Sequence, residues 1–112
     1  MSATTTISTH VLDTSLGAPA AGIAVTLHAR NGSKELGRGT TNADGRVTSF
    51  GDVAIAAGSY RLCYDVAPYF ASSRRASFYA EICIAFEVAA EAQHYHVPLL
   101  LAPFGYSTYR GS

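Results

Sequence analysis

Histidine and arginine are the side chains here whose placement suggests chemistry. Strand alternation through Gln93 to Leu101 puts His94, His96 and Pro98 on one face and Tyr95, Val97 and Leu99 on the other. The same reading of Ile7 to Leu12 sets His10 beside Ser8 and Leu12, opposite Ile7, Thr9 and Val11. Imidazoles on separate strands can then meet. Histidines at i and i+2, joined by a third, would complete an open zinc site. Neither HExxH, a Cys pair nor a nearby carboxylate accompanies them, and the plain alternative is surface histidines hydrogen-bonded on a polar sheet face. Arg46, just after Asp44-Gly45, reads either as a solvated hairpin residue or as a clamp for a planar carbonyl or carboxylate.

Other reactive types are less promising. Cys63 and Cys83 belong to no CxxC pair, are too few for a disulfide scaffold, and fall on strand positions that point away from the core, as buried or idle thiols. GxSxG is missing, no Ser/His/Asp spacing stands out, and no glycine-rich stretch matches a phosphate loop. Asp13 and Asp44 are expected to serve turns. The segment Tyr106-Ser107-Thr108-Tyr109-Arg110-Gly111-Ser112 carries aromatics and an arginine where a frayed end is usual, which suggests ordered packing at an interface.

The elements that must hold these residues are strands. Ile7 to Leu12 and Ile23 to Ala29, separated by the turn-rich 17–22, resemble neighbouring strands of one antiparallel sheet. Gly37 to Thr41 and Arg46 to Thr48, joined by Asn42-Ala43-Asp44-Gly45, suggest a hairpin. Tyr60, Leu62, Tyr64 and Val66, and then Ile82, Ile84, Phe86 and Val88, mark two half-buried strands, with one helical turn possible over Ala71 to Ala76 between them. Gln93 to Leu101 and Tyr106 to Arg110 complete about eight strands, an all-β sandwich with at most one short helix.

At 112 residues this is one domain, 1–112. Eight basic and eight acidic residues balance, and a chain 48% hydrophobic and 14% charged is built to fold. The balance leaves no basic footprint for nucleic acid or an anionic membrane surface. The longest apolar run, Val97 to Phe104, holds two prolines and falls far short of the roughly 20 residues that span a bilayer. No basic and apolar leader is visible in MSATTTISTH, so a cytoplasmic location is expected, with disorder confined to the first Thr-rich residues.

Several segments together resemble one family. Ser8-Thr9-His10-Val11-Leu12-Asp13-Thr14 with Gly17 and Pro19-Ala20, then Thr41-Asn42-Ala43-Asp44-Gly45-Arg46-Val47, then His94-Tyr95-His96-Val97-Pro98-Leu99-Leu100-Leu101 and the final Tyr109-Arg110-Gly111-Ser112, resemble the 5-hydroxyisourate hydrolases, transthyretin-like enzymes of urate breakdown. The likeness runs over essentially the whole chain, with Ala80 where many relatives have proline. Transthyretin hormone carriers share the sandwich but lack the combination of His10, Arg46, His96 and the Tyr-Arg-Gly-Ser ending.

The resemblance implies a transthyretin-like antiparallel sandwich, assembled as a homotetramer with sites between subunits. It implies hydrolysis of the N1–C6 amide of 5-hydroxyisourate to 2-oxo-4-hydroxy-4-carboxy-5-ureidoimidazoline, with neither metal nor organic cofactor. Carried over by residue, His10, Arg46 and His96 are catalytic and also bind substrate, together with Tyr109, Arg110 and Ser112. One histidine would act as base and the other as its partner, with the order open. The other function class is a binding protein that carries a small aromatic ligand in an inter-subunit channel.

Overall fold

The computed structural model describes residues 4–112, in two sheets and one helix. The strands are β1 (Thr6–Asp13), β2 (Ala18–Pro19), β3 (Ala24–Ala29), β4 (Glu35–Thr40), β5 (Arg46–Val47), β6 (Gly58–Asp65), β7 (Glu81–Val88), β8 (His94–Ala102) and β9 (Gly105–Thr108), with α1 (Ala67–Ser72) between β6 and β7. One sheet runs β2-β1-β8-β9 with β5 also paired to β1, and the other runs β4-β3-β6-β7. Every pairing is antiparallel except β1 with β8. The core lies between the sheets. Val11, Leu99 and Leu101 of the first meet Val25, Leu27, Leu62, Tyr64 and Ile82 of the second, all buried. Burying a side chain of this size contributes about 1.5–3 kcal/mol, so the inner faces carry the stability and leave the outer faces free for polar residues.

The sheet membership corrects two expectations. The strands around Ile7 and Ile23 are not neighbours: β1 pairs with β8, while β3 lies in the other sheet between β4 and β6. Equal alternation in the two strands cannot tell one sheet from two. Nor do β4 and β5 form a hairpin, because the turn Asn42–Gly45 carries the chain from one sheet to the other and sets β5 against β1. Gly37 and Gly39 permit this passage. A Cβ on Gly37 would strike the Phe50 carbonyl, and one on Gly39 would reach within 2.5 Å of Val47 Cγ1, so the crossing segment lies directly on β4.

Smaller differences have local causes. The helix is Ala67–Ser72, earlier than the turn expected at Ala71, because Pro68 sits in its first turn and Phe70 is drawn into the core. Of the Thr-rich start, residues 1–3 lie outside the described residues, whereas Thr5 is buried and Thr6 opens β1. Cys63 and Cys83 do sit on the outer face, with Cys63 covered and Cys83 exposed. Asp44 is an exposed turn residue, but the side chain that organises the turn is Asn42, whose Oδ1 accepts from the Asp44 and Arg46 amides.

Asp13 serves its turn, accepting from the Ser15 and Leu16 amides, and does more. Its buried carboxylate also accepts from Arg75 Nη2 at 2.8 Å and from the Tyr69 hydroxyl at 2.7 Å. Burial alone would raise its pKa, but the hydrogen bonds from Arg75, Ser15 and Tyr69 prevail and hold it at about 2.

Candidate active site

The parallel pairing of β1 with β8 assembles the polar face. Its register sets Thr6 opposite His94, Ser8 opposite His96 and His10 opposite Pro98. Beneath it, Thr9 points into the core, where its hydroxyl donates to the Val97 carbonyl at 2.6 Å and accepts from the Tyr64 hydroxyl at 2.7 Å. Since a threonine hydroxyl has one proton, these roles are fixed. The bond ties β1 to β8 from the core side at the level of the histidines.

On the outer side the chain Thr6–His94–Ser8–His96 is continuous. His94 Nδ1 lies 2.6 Å from Thr6 Oγ1, His94 Nε2 2.8 Å from Ser8 Oγ, and Ser8 Oγ 2.8 Å from His96 Nδ1. Ser8 holds one proton between two ring nitrogens, so the chain has a direction. With His96 Nδ1–H donating to Ser8, Ser8 donates to His94 Nε2 and His94 Nδ1–H donates to Thr6. His96 Nε2 is then a bare lone pair. Shifting each proton one place reverses the direction.

Arg46 joins from β5, directly opposite His10 on β1. Gly45 makes this possible: at φ +75° its backbone runs so close to β1 that any Cβ would strike the Val11 carbonyl, while its own carbonyl accepts from the Val11 amide at 2.8 Å. His96 senses its surroundings. Partial burial first, and then the charges of Arg46, His94 and His10, lower its pKa from the ordinary histidine value. A neutral imidazole, free to act as base, is thereby favoured at neutral pH.

The chain end completes the face along the outer edge of β8. The Gly111 amide donates to the His96 carbonyl at 2.8 Å, forming a bridge in the register that β8 and β9 already share. A Cβ at 111 would come within 2.5 Å of His96 Cδ2, so the glycine lets backbone lie against the imidazole. Tyr109 is exposed, between Thr108, which pairs with Leu99, and the Gly111 bridge to His96. Arg110 alternates to the other side, where its Nη2 donates to Gln93 Oε1 at 2.7 Å and its guanidinium stacks 4.6 Å from the centre of the Tyr95 ring. Ser112 is exposed beyond the bridge.

The structure thus brings His10, Arg46 and His96 to one face, sets Tyr109 and Gly111 at its border, and turns Arg110 away. Ser8 and His94 join the candidate site; sequence reasoning gave Ser8 no role and considered His94 only as one of three possible zinc ligands, and their shared alternation with His10 and His96 was the available signal. Because Ser8 lies between His94 and His96, those two nitrogens are engaged by its hydroxyl. A concavity of about 480 Å³ lies elsewhere, between the start of β1 and the loop 48–55, and offers Asp52 as its one ionisable side chain. A smaller one of about 260 Å³ opens between the sheets beside Tyr95, His96, Tyr109 and Arg110. Cysteine nucleophilicity is disfavoured, since burial, and then Cys63 and Glu81, push the Cys83 thiol well up.

Two packed sheets, one of them bearing a histidine and arginine face, make up a sandwich of the transthyretin-like class. The HIUase/Transthyretin family model matches residues 7–111, and the chain belongs to that family. A 5-hydroxyisourate hydrolase from Salmonella dublin is 42% identical over 109 residues, covering 95% of this chain and 80% of that protein. The solved structure of Klebsiella pneumoniae 5-hydroxyisourate hydrolase superposes with a TM-score of 0.86 at 38% identity, over 100% of this chain and 97% of that one. Transthyretin from Sparus aurata also superposes at 0.86, with 26% identity over 94% and 95% of the two chains. The stronger sequence kinship is to the hydrolases, and the protein is a hydrolase.

Proposed function

We propose that the protein hydrolyses 5-hydroxyisourate by attack of water on its N1–C6 amide. The observation that carries this reading is the convergence of His10, Arg46 and His96 on one face, with the His96 pKa lowered by partial burial and the charge of Arg46, and its ring hydrogen-bonded through Ser8 to His94.

Substrate lies on the face with its C6 carbonyl toward Arg46. Water beside His96 loses a proton to Nε2 while its oxygen bonds to C6, and the oxyanion that forms is stabilised by the guanidinium. When C6–N1 breaks, N1 takes a proton from the imidazolium and C6 leaves as a carboxylic acid. Between these events the charge on His96 is shared with His94 by proton transfer through Ser8. His10, paired with Arg46, holds the substrate and orients the water. Tyr109 walls the border and Gly111 fixes the imidazole. Arg110 anchors the tail from behind, and Ser112 lies near enough in sequence to close the edge.

A single chain leaves this face open, and large apolar side chains are exposed around the sandwich: Leu16, Phe78, Phe104, Tyr106 and Tyr109. Association into a homotetramer would cover such side chains and enclose the substrate between subunits. Among the described residues no helix is long and apolar enough to cross a membrane.

The test is fresh 5-hydroxyisourate, generated by urate oxidase and followed by ultraviolet absorbance. Loss faster than spontaneous decay is expected; decay at the uncatalysed rate with saturable ligand binding would favour the carrier reading instead.

A further inference from the structure

The other sheet carries an unusual cluster on its outer face. Cys63 of β6 and Cys83 of β7 are direct cross-strand partners, with Sγ atoms 2.7 Å apart. Glu81 Oε1 lies 3.3 Å from Cys83 Sγ. One ligand atom from each of the three residues falls within 4.8 Å of the others, and among the described residues this is the one such group of histidine, cysteine and acid side chains. The single Cys83 proton can satisfy only one of its two neighbours.

A second observation points the same way. The residue directly opposite Glu81 is Asp65, on the same face one alternation from Cys63. Like charges facing each other across an antiparallel pair are destabilising. Neither is offset by an ion pair among the described residues, where the bridges are Arg38–Glu35 and Arg75–Asp13. The nearest arginine along β6, Arg61, is committed to the carbonyls of Ala29, Arg30 and Gly32. Two thiols and two carboxylates therefore share a patch without a cation.

We propose that Cys63, Cys83 and Glu81 form a binding site for a thiophilic divalent cation of the Zn²⁺ class, on the sheet opposite the histidines. Two sulfurs and one oxygen suit a borderline-soft ion, with water in the fourth tetrahedral position. Binding releases the two thiol protons to solvent. Zn–S bonds of about 2.3 Å set tetrahedral sulfurs about 3.8 Å apart, so the pair must open by roughly 1 Å. Cys83 is exposed and can turn outward to give that room. Asp65 stands beside the ion as a second acid, and its opposition to Glu81 is relieved.

The experiment uses the intact protein, fully reduced with a phosphine and checked by thiol titration, with Cd²⁺ as probe. One equivalent should produce a thiolate-to-metal charge-transfer band in the ultraviolet. Cys83→Ser should abolish the band, and Glu81→Gln should weaken Cd²⁺ binding about tenfold or more. Both variants should hydrolyse substrate as the parent does, because their side chains lie on the far sheet. No band with the reduced protein overturns the proposal, as does a band that survives Cys83→Ser. Cd²⁺ binding without the band, lost in His96→Asn, would move the metal to the histidine face and overturn it equally. These readouts do not depend on the hydrolase assignment.

Discussion

The two outward faces of the sandwich follow one alternation rule and end in opposite electrostatic conditions. On the β1–β8 face Thr6, Ser8, His94 and His96 form one chain of hydrogen bonds that links residues 86 and 88 positions apart, as in Ser8 with His94 and His96. On the outer face of the other sheet the polar groups pair singly, bond to backbone or oppose like groups: Arg38 pairs with Glu35, His28 with Thr26, Ser59 with Glu87 and Arg61 with backbone carbonyls, while Cys63 meets Cys83 and Asp65 meets Glu81. His28 and His96 show the difference in one residue type. His28 rests on its own strand and the Lys34 carbonyl; His96 is half-buried, tied to another strand and pressed by Gly111. The proposed site is the polar surface whose groups are linked into one chain by distant parts of the sequence, and exposure alone does not achieve this.

Substitution can break that contrast, and His96→Asn should have the largest effect. It keeps approximate shape while removing the proposed base, so turnover should fall by about 10²- to 10⁴-fold with circular dichroism unchanged. Wild-type turnover would remove His96 from the chemistry. Next comes the tail. Deleting Tyr109–Ser112 should abolish most hydrolysis while a folded protein persists, since the tail holds on by one backbone bridge, the Arg110 contacts and little of the core. A milder version is Gly111→Ala, whose methyl cannot coexist with the present imidazole position; activity should fall about tenfold or more with a melting temperature near the parent's. A collapsed fold in the deletion would make the tail structural.

A smaller effect sharpens the comparison. Ser8→Ala cuts the link between His96 and His94 without touching the core and should lower kcat several-fold more than it changes KM. The pH profile of kcat/KM should show an acid limb below the ordinary histidine range, because the folded His96 pKa is lowered. Removing the Arg46 charge with Arg46→Gln should raise that pKa, a shift readable by NMR titration of the His96 ring even where activity is weak. An unmoved titration would separate Arg46 from His96.

Acid unfolding supplies the last measurement. Asp13 has a folded pKa of about 2 against a reference value of 3.8. Its contribution is therefore complete above about 4 and lost as pH falls through about 2, amounting to at most about 2 kcal/mol. Asp13→Asn should remove that part of the pH dependence, seen as a flatter plot of chemical-denaturation stability against pH.

The residue types and faces of the site were legible because β alternation is local. His10, Arg46 and His96 needed only a strand, a turn and a period of two. Their common face needed more: that β1 pairs with β8, and that Asn42–Gly45 switches sheets instead of closing a hairpin. Those facts depend on what Val47 and Phe50 meet across β4, where two glycines leave space, and no short-range pattern records it. Arg110 illustrates the same limit. Its neighbours Tyr109 and Gly111 border the histidine face, but alternation across the bridge sends its guanidinium to Tyr95. The Cys63–Cys83 pairing was equally hidden, since it depends on register and not on spacing.

The parallel union of β1 with β8 also has a consequence for the timing of folding. Joining Ser8 to His96 encloses a loop of 88 residues, whose closure costs about 4 kcal/mol of chain entropy before any contact compensates. Local hairpins of the other sheet, such as β6 with β7, can form while β8 is still inside the ribosome. The proposed site cannot. It stays divided until the chain has emerged to Gly111, so nascent chains and fragments lacking either end are expected to lack the assembled face, and this sheet is the slow, high-contact-order half of the molecule.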